Sequence, residues 1–162
     1  TGAIEPDILR IGAEGTPGYA SVFSHAEEEA SPGYYAVTLR DSGVRAELTT
    51  TLRVGLHRYA FPRGRPAHVV LDLTHRDEVI DSSVAIEGDR ELTGHSRSKS
   101  WAKDQRLFFV IRFSRPFSAS AIASPDRVDP FDRAARQAEG KSVKAVATES
   151  DVAALPEKET GE

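Results

Sequence analysis

The stretch AELTTTLRVGLHRYAF, residues 46–61, decides the fold class, because it is the longest run in which apolar and polar residues alternate. Drawn as one extended strand, it sends Leu48, Leu52, Val54 and Leu56 to one side and Glu47, Thr49, Thr51, Arg53, His57 and Tyr59 to the other. A helix fits badly: the period is two, and three consecutive threonines carry branched side chains that favour a pleated surface. The reading is a strand with one apolar face for a core and one chemically equipped face, which either binds something or simply meets water.

Working outward, Pro32-Gly33 is a turn signal, and Tyr35, Val37 and Leu39 form the apolar side of a strand beginning at Tyr34. Asp41-Ser42-Gly43 has the chemistry to reverse that strand into residues 46–61, giving a hairpin. The acidic run 27–29 is too short for a helix, and residues 1–22 read as one short strand, around Ile8 to Ile11, followed by a loop. Downstream, PRGRP at 62–66 takes the chain out of the sheet, because proline has no amide to donate to a ladder. Residues 67–73 read as a strand buried on both faces apart from Asp72. Residues 79–86 and 91–93 are weaker strands around the turn Glu87-Gly88-Asp89, and LFFVIRF, 107–113, is β-prone enough to be placed at the centre of the core. After residue 118 the pattern thins: 129–139 suits a short helix ending at Gly140, 141–147 suits a strand, and 148–162 is a polar, disordered tail. Short strands punctuated by Gly, Pro and Asp predict an all-β protein, an antiparallel β-sandwich over residues 1–147.

Composition supports a single folded domain, with 39% hydrophobic and 28% charged residues in 162. A chain of that length buries roughly 68–70% of its unfolded surface. The net charge of −4 argues against a nucleic-acid partner, since phosphate neutralisation needs a basic footprint. No apolar run approaches the ~18 residues of a membrane-spanning helix. With no cysteine, disulfides, thiolate metal sites and cysteine nucleophiles are all excluded, while the compartment stays open. There is no methionine and the chain begins Thr-Gly, from which we expect it to start inside a longer protein, so that a missing signal peptide carries no information.

Candidate chemistry is sparse. Glu47 and Asp72 are the carboxylates best placed for the acid and base of a glycosidase, but each has a structural alternative: Glu47 pairs with a charge on the next strand, or Asp72 caps a strand end. His25, His57, His68, His75 and His95 show neither H-x-H nor H-x-x-x-H spacing, so no metal site is expected. No G-x-S-x-G motif occurs. Trp101, within RSKSWAKDQ, sits in a polar loop context and fits either a ring that stacks on a sugar or a cover for a sheet edge or neighbouring domain.

Three separated blocks together resemble a family: FSHAEEEASPGYYAVTL at 23–39, VRAELTTTLRVGLHRYAFP at 44–62 and GHSRSKSWAKDQRLFFVIRFSRPF at 94–117 are similar to the small N-terminal domain of glycoside hydrolase family 92, the calcium-dependent exo-acting α-mannosidases. GKSVKAVA, 140–147, resembles the next family strand. The resemblance implies a supersandwich of the galactose-mutarotase type, docked on a large (α/α)6 barrel that supplies the inverting acid and base carboxylates and most calcium ligands. It implies mannose-containing glycans and that barrel as partners, a secreted or periplasmic bacterial enzyme of carbohydrate metabolism as parent, and no catalytic or metal residue in this chain. On the matched positions, Glu47, Thr49, Arg53, His57, Arg58 and Trp101 are implied to face the substrate or the barrel. The ends depart from the family: a glycine-rich, aromatic region expected before residue 1 is absent, and TESDVAALPEKETGE replaces apolar strands expected after Ala147. A truncated product or a frame change is expected, leaving an inactive, marginally stable piece prone to associate. A free-standing carbohydrate-binding module and a purely structural docking domain are the alternatives.

Overall fold

A computed structural model of the chain describes residues 18–75, 77–123, 131–132, 137–140 and 143–149. These residues form twelve strands in three four-stranded sheets, with every pairing antiparallel and no α-helix among them. The all-β antiparallel expectation is therefore met. None of the described helices is long and apolar enough to cross a membrane. The strand read at Ile8 to Ile11 lies outside the described residues, as do residues 150–162 of the expected tail, whose first two residues, Thr148 and Glu149, instead end a strand because the ladder of a neighbouring strand pairs them.

The first sheet is a meander of β1 (Glu28–Ser31), β2 (Tyr34–Leu39), β3 (Val44–Thr50) and β4 (Gly55–Ala60), in that order. Gly33 and Gly43 make its first two turns with φ of 80° and 71°, values that glycine adopts without the Cβ penalty. The β2–β3 hairpin was legible in Asp41-Ser42-Gly43. β1 was not, because EEAS has little strand propensity; it forms because β2 offers it a ladder, Glu28 opposite Val37 through Ser31 opposite Tyr34.

The largest correction falls on residues 46–61, which are two strands rather than one. The chain reverses at 51–54, where the Thr51 amide donates to the Val54 carbonyl at 2.8 Å and the Thr51 hydroxyl accepts from the Val54 amide at 3.2 Å. Threonines that argued for an extended strand instead serve the turn with their hydroxyls. Reversal changes the parity of every residue beyond it: Glu47 now faces Arg58, Leu48 faces His57 and Thr49 faces Leu56. Leu52, 95% exposed, sits on the turn, and Val54 and Leu56 are exposed with it rather than packed in a core.

The second sheet runs β10 (Phe131–Asp132), β9 (Ala119–Ala123), β12 (Lys144–Glu149) and β5 (Ala67–Asp72); the third runs β11 (Gln137–Gly140), β6 (Glu78–Glu87), β7 (Glu91–Lys99) and β8 (Gln105–Arg112). Their facing sides share one core. Val84, Ile86 and Leu92 come from the third sheet, Ile122 and Ala145 from the second, and Val143 and Phe117 from the flanking loops; Leu71, Leu73, Ile111 and Phe113 pack at the margin. Each large side chain so buried contributes about 1.5–3 kcal/mol. The short helix expected over 129–139 is replaced by β10 and β11, whose backbones pair with β9 and β6. Helix propensity is a weak prior even where alanine favours it, and pairing with two sheets overrides it. The strand expected at 141–147 is β12, which sits between β9 and β5 and runs through Glu149.

Two further readings are corrected. LFFVIRF is not central to the core: Phe108 and Val110 lie on the outer face of the third sheet beside His95 and Thr93, Leu107 is exposed on the edge strand β8, and only Ile111 and Phe113 reach the core. Propensity marked this segment as a strand but could not say which face would be covered. β5 is buried on both faces only at Ala67, and the side chain of Asp72, 7% exposed, is more deeply buried than the reading allowed.

Candidate functional site

Cross-strand register places Glu47, Thr49 and Arg58 on one face of the first sheet, together with Tyr34, which pairs with Thr49. The Glu47 carboxylate accepts both Nε and Nη2 of Arg58, at 2.5 and 2.6 Å, and the Tyr34 hydroxyl at 2.9 Å. Arg58 beside it, then the Tyr34 hydroxyl, hold the Glu47 carboxyl below its ordinary range, while the same hydrogen bond to Glu47 raises the Tyr34 phenol. Thr49 donates to the Gly33 carbonyl at 2.6 Å and ties the two hairpin ends together. A carboxylate held this way is an ion-paired brace. Its lone pairs are committed, and its pKa moves away from what a general acid needs.

The other sequence-predicted residues are not gathered here. His57 lies on the opposite face of β4, with Nδ1 2.8 Å from the Tyr59 hydroxyl and its ring edge-on to Tyr59. Arg53 is exposed on the 51–54 turn. Trp101 belongs to the third sheet, on the turn between β7 and β8, and is 99% exposed. Sequence reasoning grouped Arg53 and His57 with Glu47 and Thr49 on one strand face because it missed the turn.

Asp72 is structural. It accepts from the Thr74 amide at 2.8 Å and hydroxyl at 2.6 Å, closing the loop after β5, and from Tyr19 at 2.5 Å and Lys144 at 3.0 Å. Burial pushes its carboxyl up, but the hydrogen bonds from Thr74, Tyr19 and Lys144 outweigh burial and leave it below the usual value. Glu47 and Asp72 thus lie in separate hydrogen-bond networks, each already satisfied.

A constellation that sequence spacing did not disclose occupies the outer face of the third sheet. Two adjacent rungs cross three strands, Asp81–Arg97–Arg106 and Ser83–His95–Phe108. His95 Nε2 is 2.9 Å from Asp81 and Nδ1 is 2.7 Å from the Ser83 hydroxyl. Asp104, on the Trp101 turn, takes two bonds from Arg97, at 2.8 and 3.1 Å, and two from Arg106, at 3.1 and 3.5 Å. Those guanidiniums, Arg97 first, hold the Asp104 carboxyl down to about 2. Asp81, His95, Arg97, Arg106 and Phe108 line a shallow depression of about 250 Å³. The available signal was the period-two spacing of 81 and 83 against 95 and 97, masked because the second strand was read only over 91–93, whereas β7 continues through Lys99. Among the described residues, no three His, Asp or Glu side chains converge in a cluster that could hold a metal ion.

Antiparallel sheets packed over one shared core define a domain of the β-sandwich class. The chain belongs to glycosyl hydrolase family 92, whose N-terminal domain it matches over residues 8–151. A family GH92 α-mannosidase of Bacteroides thetaiotaomicron, with and without mannoimidazole, superposes with a TM-score of 0.78 at 30% identity, covering 89% of this chain and 20% of that one. The GH92 glycosyl hydrolase ccman5 gives 0.72 at 29% identity, covering 82% and 19%. An inverting GH92 mannosidase from B. thetaiotaomicron VPI-5482, at 24% identity and a TM-score of 0.70 over 82% of this chain and 17% of that one, shares the fold. The chain thus spans about a fifth of the length of these enzymes. No curated protein matches it.

One prediction concerns the brace. Replacing Glu47 by Gln removes the charge that raises the Tyr34 phenol, so Tyr34 should titrate at a lower pH, read from tyrosinate absorbance, with little change in the thermal midpoint. An unchanged Tyr34 titration would mean that the hydrogen bond does not hold in solution.

Proposed function

We propose that this chain is the non-catalytic N-terminal portion of an exo-acting, inverting α-mannosidase that releases terminal α-linked mannose from glycans, in an exported bacterial enzyme of carbohydrate metabolism. The observation that carries the reading is the family match over 8–151 to a fifth of an α-mannosidase's length. In support, the two carboxylates that sequence put forward are both committed, Glu47 to Arg58 and Asp72 to Lys144. The acid, the base and the calcium ligands accordingly belong to an (α/α)6 barrel outside residues 1–162. Within this reading Glu47, Thr49 and Arg58 stiffen the first sheet, while Arg53, His57 and Trp101 project toward substrate or barrel. The sandwich portion extends at least through Glu149, where β12 ends.

The purified chain should show no turnover of 4-nitrophenyl α-mannopyranoside with calcium present. Turnover that Glu47→Gln abolishes would overturn the proposal. Trp101→Ala should leave the melting curve of the chain unchanged, because a side chain 99% exposed loses almost no packing. A clear fall in midpoint would show that Trp101 is a structural cover instead.

A further inference from the structure

We propose that the outer face of β6, β7 and β8 carries an accessory binding site for one neutral hexopyranose ring, centred on Phe108 and Asp81. The site rests on the glycan reading above but lies on a different sheet from Glu47, Thr49 and Arg58.

Three observations point to an uncharged polyhydroxylated ring. Phe108 is 76% exposed, with Val110 its apolar neighbour on the same strand face and His95 beside it, ring centroids 5.8 Å apart. An aromatic ring left bare beside fixed polar groups suits a ligand with one C–H face and several hydroxyls. The charges around it cancel: Asp81 and Asp104 stand against Arg97 and Arg106, and beyond the Thr93–Val110 pair Glu91 stands against Arg112 at 2.7 Å. A phosphate or carboxylate ligand would meet guanidiniums already taken by Asp104, so net attraction for an anion is absent. Finally, the polar groups are held in place before any ligand arrives. Asp81 is fixed by His95, His95 by Ser83, and both arginines by Asp104. Pre-set donors and acceptors lower the ordering cost that usually limits sugar affinity. About 250 Å³ falls below the ~300 Å³ where drug-sized sites begin, which is room for one ring rather than an extended chain.

The test is amide chemical-shift mapping of this chain titrated with methyl α-D-mannopyranoside, and separately with sodium glucuronate. We expect saturable shifts at Ser83, His95 and Phe108 with a Kd of about 1–10 mM for the neutral sugar. Phe108→Ala and Asp81→Asn should each weaken binding about tenfold or more while leaving the thermal midpoint nearly unchanged. Stronger binding of glucuronate would overturn the inference, as would sugar-induced shifts confined to Trp101 and the first sheet. So would self-association that Phe108→Ala abolishes with no sugar-dependent shift, which would mark the face as a protein contact. Turnover by the chain bears on the proposed function alone, and shifts at Phe108 bear on this site alone.

Discussion

Gly94→Ala is expected to cost about 3 kcal/mol and to lower the thermal midpoint by about 10 °C. Gly94 sits mid-β7, opposite Val84 and Phe109, and a Cβ built there would fall 2.1 Å from the Ser83 carbonyl oxygen and 2.7 Å from the Phe109 ring. A ring can swing aside, but a carbonyl held in the β6–β7 ladder cannot, so relief requires the two strands to part. Gly88→Ala is the matched control. Its φ of 63° makes alanine strained, yet no atom lies within 4 Å of the added Cβ, so the loss should be near the ~1 kcal/mol of a left-handed residue. Circular-dichroism melts of both variants check this; equal losses would mean that backbone conformation, not the close approach, explains Gly94.

Asp72→Ala should cost a comparable amount, about 3 kcal/mol, because it leaves the largely buried Lys144 ammonium without its carboxylate and strips partners from Tyr19 and Thr74. Denaturant unfolding at neutral pH reads the loss, and a loss under ~1 kcal/mol would show that Lys144 reaches water freely. The pH dependence has a definite sign. The folded carboxyl lies below its ordinary value of 3.8, so the stability it contributes is present above that pH and drains away as pH falls through the lower folded value. Asp72→Asn, which has no such proton to take up, should flatten the acid limb of stability below about pH 4.

Much of the fold was legible because strand chemistry is local. Alternation marked β2, turn residues marked the β2–β3 and β6–β7 reversals, and Lys141-to-Ala147 propensity marked β12. What failed was parity. The turn at 51–54 contains no Gly, Pro, Asn or Asp and is closed by threonine hydroxyls, so the alternation ran through it unbroken and put His57 and Tyr59 on the face of Glu47 and Thr49, which they do not share. Of the candidate site, the Glu47–Arg58 pair was half foreseen as an ion pair with a neighbouring strand. The Asp81–Ser83–His95 cluster was not foreseen, since partners twelve and fourteen residues apart meet only once β6 and β7 are registered.

By itself the sequence determined the all-β class, the absence of thiol chemistry and, through blocks 23–39, 44–62 and 94–117, the family. Tertiary structure alone decided which apolar strands are covered and which stand at an edge. Leu107, Phe108 and Val110 are as β-prone as any core strand, but Phe108 and Val110 fall on the outer face of the third sheet, and burial depends on what packs over a face rather than on the strand. In the same way the stretch 46–61, decisive for the fold class, yielded its true faces only through pairing, because a single reversal exchanges inside for outside along everything that follows.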